Sequence, residues 1–88
     1  MNFVTNVRYL AEYKLELTFK DGLRGVLDMK DELWGEMFEP LKDLEFFRKV
    51  RVDEEHDTIV WPNGVDLAPE FLYESVLKSK DQELAATK

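Results

Sequence analysis

The chain has 88 residues, 12 basic against 19 acidic side chains, a net charge of −7 and no cysteine. This length sustains one hydrophobic core and no second domain, and the missing cysteines exclude disulfide scaffolds, thiolate nucleophiles and cysteine zinc sites. No apolar run approaches the roughly 20 residues of a membrane span, and Met1-Asn2-Phe3 does not open a basic region followed by an apolar stretch, so the expected address is the cytoplasm.

Val4, Val7 and Tyr9 suggest a first strand. From Tyr13 to Lys20 the chain alternates strictly, with Tyr13, Leu15, Leu17 and Phe19 on one side and Lys14, Glu16, Thr18 and Lys20 on the other. A period of two over eight residues predicts a half-buried strand. It ends at Asp21-Gly22, where glycine takes a positive φ without steric cost. A two-residue loop pairs Phe19 with Arg24. A three-residue loop of Lys20, Asp21 and Gly22 pairs Phe19 with Leu23 and Leu15 with Leu27. A one-residue slip turns every side chain over, so the register that keeps the leucines on the apolar face is expected.

Lys30 to Phe38 reads as a short helical piece carrying Leu33, Trp34, Met37 and Phe38, weakened by Gly35. Pro40 is expected to break or restart the chain, and Asp43 to cap a brief helix through Leu44, Phe46 and Phe47. Val50 and Val52, then Ile59 and Trp61, flank the polar stretch Asp53 to Asp57 and predict a second hairpin. Trp61-Pro62-Asn63-Gly64 closes it, because proline cannot donate to a ladder and Asn-Gly favours turns. Pro69 and Glu70 suit a helix start, and Lys78 and Lys80 suit its other end. Leu72, Tyr73, Val76 and Leu77 form its apolar stripe. The expectation is one α+β domain over residues 1–80. It has an antiparallel sheet of about five strands (a three-stranded meander plus the second hairpin), a short middle helix and a C-terminal helix. Residues 81–88 read as a polar tail that frays.

Several of these segments together resemble the bacterial family catalogued as domain of unknown function 2442. The resemblance rests on the Tyr13 to Phe19 alternation, Asp21-Gly22, Val26-Leu27-Asp28, Gly35, Phe38, Pro40-Leu41 and Phe47. It continues in Trp61-Pro62-Asn63-Gly64, Asp66-Leu67, Pro69-Glu70 and Leu72-Tyr73, and spans roughly residues 3–77. It implies a small cytoplasmic α+β protein without an agreed activity. Some members resembling this chain carry a following helix-turn-helix domain, and others stand beside a small partner, which has prompted an antitoxin-like suggestion. With the sequence ending at Lys88, no such domain and no direct operator binding are expected.

Charge is unevenly spread. Residues 28–45 carry −5, residues 46–52 carry +3 and residues 53–74 carry −7 with no lysine or arginine. Broad phosphate-backbone binding needs a basic face. The only basic cluster is Arg48, Lys49 and Arg51, a possible anion contact that reads more simply as a solvated helix end. Asp53-Glu54-Glu55-His56-Asp57 offers oxygen ligands and one imidazole. It lacks the glycine and closing glutamate of a calcium loop and a second histidine for zinc. Five consecutive residues in a tight turn are expected to splay outward, so no metal, cofactor or catalytic residue is assigned. His56, flanked by carboxylates, should have its charged form favoured.

Ser75 and Ser79 stand in no nucleophile elbow. The glycines at 22, 25, 35 and 64 are too scattered to cradle phosphate. Asp66 reads as an acceptor for backbone N–H groups at the start of the last helix. Trp34, Phe38, Phe46, Phe47 and Trp61 read first as core. Two helices cannot cover both faces of the sheet, however, and Trp34, Met37 and Phe38 are the expected partner-binding residues, since Gly35 leaves their segment poorly self-supporting.

The sequence therefore points to a non-enzymatic module that binds a protein partner or its own copy. Two other classes compete with it. One is an accessory domain of a DNA-associated regulator using Arg48, Lys49 and Arg51. The other is a small-ligand-binding protein.

Overall fold

In the computed structural model, which describes residues 2–86 and the side chains of residues 2–80, strand formation follows the alternation of the sequence. Strands β1 (Val4–Ala11), β2 (Lys14–Phe19) and β3 (Arg24–Asp28) make an antiparallel meander in the order β1-β2-β3. Leu15, Leu17 and Phe19 of β2 are buried, whereas the intervening residues are exposed or half-buried. The three-residue loop is the one formed. Leu15 pairs with Leu27, and Phe19 N–H donates to Leu23 O at 2.8 Å. Gly22 takes a φ of 94°. The partners of β2 also explain a spacing that strict alternation does not. Val4 and Val7 lie three residues apart, yet they oppose Phe19 and Leu17 on one face because the register shifts between Val4 and Asn6. A bulge of this kind inserts one residue without turning the rest of the strand over.

The second hairpin joins β4 (Arg51–Asp53) to β5 (Thr58–Val60), pairing Val52 with Ile59. The five strands thus divide into a three-stranded and a two-stranded sheet. The link runs through β1, where Val4 N–H donates to Asp57 O at 3.0 Å. After β5 the Trp61-Pro62-Asn63-Gly64 turn doubles the chain back. Gly64 N–H donates to Trp61 O at 2.9 Å, Trp61 N–H to Val65 O at 3.0 Å, and Asn63 Oδ1 accepts from Val65 N–H.

Between the two sheets the helical pieces are shorter than the sequence suggests. Lys30 to Phe38 forms no continuous helix; it holds a 3-10 turn (Lys30–Glu32) and the start of a second (Glu36–Lys42), separated at Gly35 by a φ of 93°. That left-handed residue breaks the run, burying Leu33 while leaving Trp34 outside. Pro40 lies inside the second turn rather than ending it. The Pro40 carbonyl still accepts from Asp43 N–H at 3.2 Å, so proline contributes as an acceptor where it has no N–H to donate. Asp43 caps α1 (Leu44–Phe47) as expected, its Oδ1 accepting from Glu45 N–H at 3.2 Å.

Helix α2 (Pro69–Ala86) lies against β3. Leu72 and Val76 are fully buried, but Leu77 is exposed, so it leaves the expected stripe. One residue beyond Val76 is about 100° around the helix, enough to turn Leu77 out of the contact. The helix backbone continues through residues 81–86, which the sequence assigns to a polar tail; residues 87–88 lie outside the described residues.

The core is centred on Phe47 and Trp61. Phe47 meets Tyr13 edge-on at 5.3 Å, Tyr9 at 6.2 Å and Trp61 at 5.6 Å. The Trp61 indole N–H donates to Phe47 O at 2.8 Å, which removes the desolvation cost of burying that polar tip.

Candidate functional site

The chain break at Gly35 and the start of α2 together frame a groove. Its apolar half is lined by Glu32, Trp34, Phe38, Leu67, Ala68 and Phe71, with a volume of about 300 Å³. A second, more polar depression shares Glu32 and Phe71 and continues along α2 past Ser75, Lys78 and Ser79 to Asp28. Two elements hold the groove in place. On one side Leu33 is anchored in the core while Trp34, 73% exposed, stands out of it. On the other, Thr58 Oγ1 of β5 donates to Leu67 O at 2.5 Å, which fixes the segment leading into α2.

Of the three residues expected to bind a partner, Trp34 and Phe38 line this groove, although Phe38 is half-buried against the core. Met37 is 69% exposed on the same 3-10 segment. Leu67, Ala68 and Phe71 were not legible as groove residues from the strand and helix pattern alone. A signal for Phe71 exists, because it is apolar yet falls one position outside the Leu72, Tyr73 and Val76 stripe.

The basic cluster is already partly engaged. The Arg48 guanidinium lies 3.7 Å from Glu45 and stacks over Tyr9 at 5.6 Å, while Lys49 and Arg51 are exposed. The acidic hairpin tip departs from expectation. Asp53, Glu55 and His56 bring one ligand atom each to within 4.8 Å of one another instead of splaying apart. The turn tightens because Asp53 Oδ1 accepts from Glu55 N–H at 3.0 Å and Asp57 adopts a φ of 57°. Glu55 and His56 remain exposed, and charged groups in water need no ion to explain them.

The His56 imidazole sits 2.8 Å from Asp53 Oδ2, and this hydrogen bond and charge raise its pKa from the ordinary 6.5, with Glu55 and Asp66 adding to the effect. The same contact lowers the Asp53 pKa. Asp66 does not cap α2 as expected. It pairs through its backbone with Val60, and among the described residues its carboxylate accepts no hydrogen bond.

Among the described residues no helix is long and apolar enough to cross a membrane. Comparison with curated proteins and with solved structures gave no match. The family model described as protein of unknown function (DUF2442) matches residues 4–77. That span holds both sheets and the packed part of α2, and the chain belongs to this family.

Proposed function

We propose that this domain is a non-enzymatic protein-interaction module whose binding surface is the groove between Trp34 and α2. The supporting observation is the exposure of Trp34 beside an apolar groove. Isolated apolar residues on a surface are ordinary, but a contiguous apolar patch that includes tryptophan is the composition of a binding hot spot. The sharpest form of this reading is an antitoxin-like pairing with a small partner protein.

Affinity purification from the native host, with the natural chain and a Trp34→Ala variant side by side, tests the proposal. The expected result is a stoichiometric protein partner retained by the natural chain and lost by the variant. Recovery of no partner, or equal recovery by both chains, overturns it.

A small-ligand reading draws on the same groove, whose 300 Å³ lies at the lower end of small-molecule pockets. Thermal shifts against a metabolite panel address it, since a ligand that binds the native state must raise apparent stability. The DNA-associated reading draws less support, because Arg48 already has Glu45 and Tyr9 as neighbours.

A further inference from the structure

The lining of the groove is apolar apart from Glu32, and Asp28 adds a second carboxylate in the polar continuation. Residues 28–39 and 67–74, from which the whole lining of its apolar half comes, carry seven carboxylates and a single lysine, Lys30. Glu32 lines both the apolar half and the polar continuation. Glu39 is paired with Lys42 at 3.2 Å, whereas among the described residues Asp31, Glu32, Glu36, Glu70 and Glu74 make no ion pair. Lys78, at the far end of the polar depression, is the one cation lining it.

We infer that the groove receives a basic amphipathic segment of a partner protein, an apolar side chain seated between Trp34 and Phe71 and flanking lysines or arginines meeting the carboxylates. This rests on the protein-interaction reading above and names the chemistry of its partner. Charge complementarity selects the occupant. A second copy related by two-fold symmetry would set these acidic segments against themselves, since such an interface uses the same patch on both subunits. Nucleic acid and anionic membrane surfaces would meet the same repulsion. A groove of about 300 Å³ accommodates one or two large side chains, and its polar continuation along α2 gives room for the residues beside them.

The long-range field adds to the fit. A chain of net charge −7 attracts cations from a distance. The discriminating question is therefore whether the groove's own carboxylates matter more than the overall charge.

The test uses the full chain and two labelled synthetic peptides of about twelve residues, followed by fluorescence anisotropy. One is an amphipathic sequence of leucine, phenylalanine and lysine; the other has glutamate in place of every lysine. Three forms of the protein are compared: the natural chain, Glu32→Lys in the groove lining with Glu70→Lys next to Phe71 in the first turn of α2, and Glu54→Lys with Glu55→Lys at the hairpin tip. Both double variants change the net charge equally, and all four positions are exposed. Circular dichroism verifies that each variant is folded.

The inference expects the basic peptide to bind, the acidic one not to, and salt to weaken the complex. It further expects the groove reversal to weaken binding by about tenfold or more, and the tip reversal by no more than about twofold. Three results overturn it: equal binding of both peptides, equal loss in the two double variants, or no binding of the basic peptide. If the basic peptide fails while a Trp34-dependent partner is still recovered from the host, the interaction module stands and the basic segment falls. If no such partner is recovered, the module itself falls.

Discussion

The Tyr73 hydroxyl donates to a carboxylate oxygen of Asp21, 52 residues away in the chain, and so ties the β2–β3 loop to helix α2. The tyrosine ring also meets Phe19 edge-on at 5.0 Å. Asp21 thus holds two partners, since its other oxygen accepts from Leu23 N–H at 2.9 Å. The bond from Tyr73, followed by that from Leu23, lowers the Asp21 pKa from the ordinary 3.8, and the same contact raises that of Tyr73 above 10.0.

These shifts set two pH limits. Asp21 has a depressed folded pKa, so its stabilisation is present above pH 3.8 and disappears as pH falls through the folded value. Tyr73 has a raised one, so its contribution is present below pH 10.0 and disappears as pH rises through the folded value. Tyr73→Phe keeps the ring contact and removes the hydrogen bond. The Asp21 pKa should then rise towards 3.8, measured by carboxyl NMR titration, and the melting temperature should fall slightly at neutral pH. Both groups face solvent, so the effect on stability is small.

Gly25 should resist enlargement. It opposes Leu17 in the meander, and a Cβ added there would lie 2.6 Å from Val76 Cγ1. Gly25→Ala should destabilise the fold by about 1–3 kcal/mol, the usual cost of overpacking. Adding Val76→Ala should recover part of that loss, because the two sites share one contact and their effects do not add. Denaturant unfolding of the two single variants and the double variant measures this directly.

Trp61→Phe should cost roughly 1–3 kcal/mol, since it deletes the indole bond to Phe47 O and leaves a gap beside the ring. It also leaves Trp34 as the only tryptophan. Emission from the variant should therefore shift to longer wavelength and quench readily with acrylamide, because Trp34 is exposed. Unchanged emission would mean that Trp34 is covered in solution.

Two further pH dependences belong to the hairpin tip. His56 has a raised pKa, so its contribution is present below pH 6.5 and is lost as pH rises through the folded value. Asp53, with a lowered pKa, keeps its contribution above pH 3.8 and loses it as pH falls through its own folded value. His56→Gln should flatten the small decline in melting temperature between about pH 6 and about pH 8. An identical decline in the variant would place its origin elsewhere.

The strands were legible because a period of two, together with the identity of Leu23 and Leu27, admits only one register on a half-buried face. The turn at Trp61 to Gly64 was legible for a similar reason, since Pro62 and Asn63-Gly64 leave the backbone few options. The segment from Lys30 to Lys42 was not. Its apolar spacing fits a helix, but Gly35 at positive φ divides it, and tertiary anchoring of Leu33 decides which side chains turn inward. At the candidate site, Trp34 and Phe38 carried a sequence signal, whereas Leu67 and Ala68 lie between elements, where Leu67 packs against the core and accepts a bond from Thr58. That bond joins positions nine residues apart, a contact that no strand or helix period encodes.

The bare Cα of Gly25 has a consequence beyond its own strand. By letting Val76 press against β3, it sets how near the axis of α2 comes to the meander. Phe71 rides on the same helix, little more than one turn earlier, so its distance from Trp34 is calibrated by a hydrogen atom on the far side of the helix. A methyl group there would act as a wedge, prising the cleft to a new width without touching any residue that lines it.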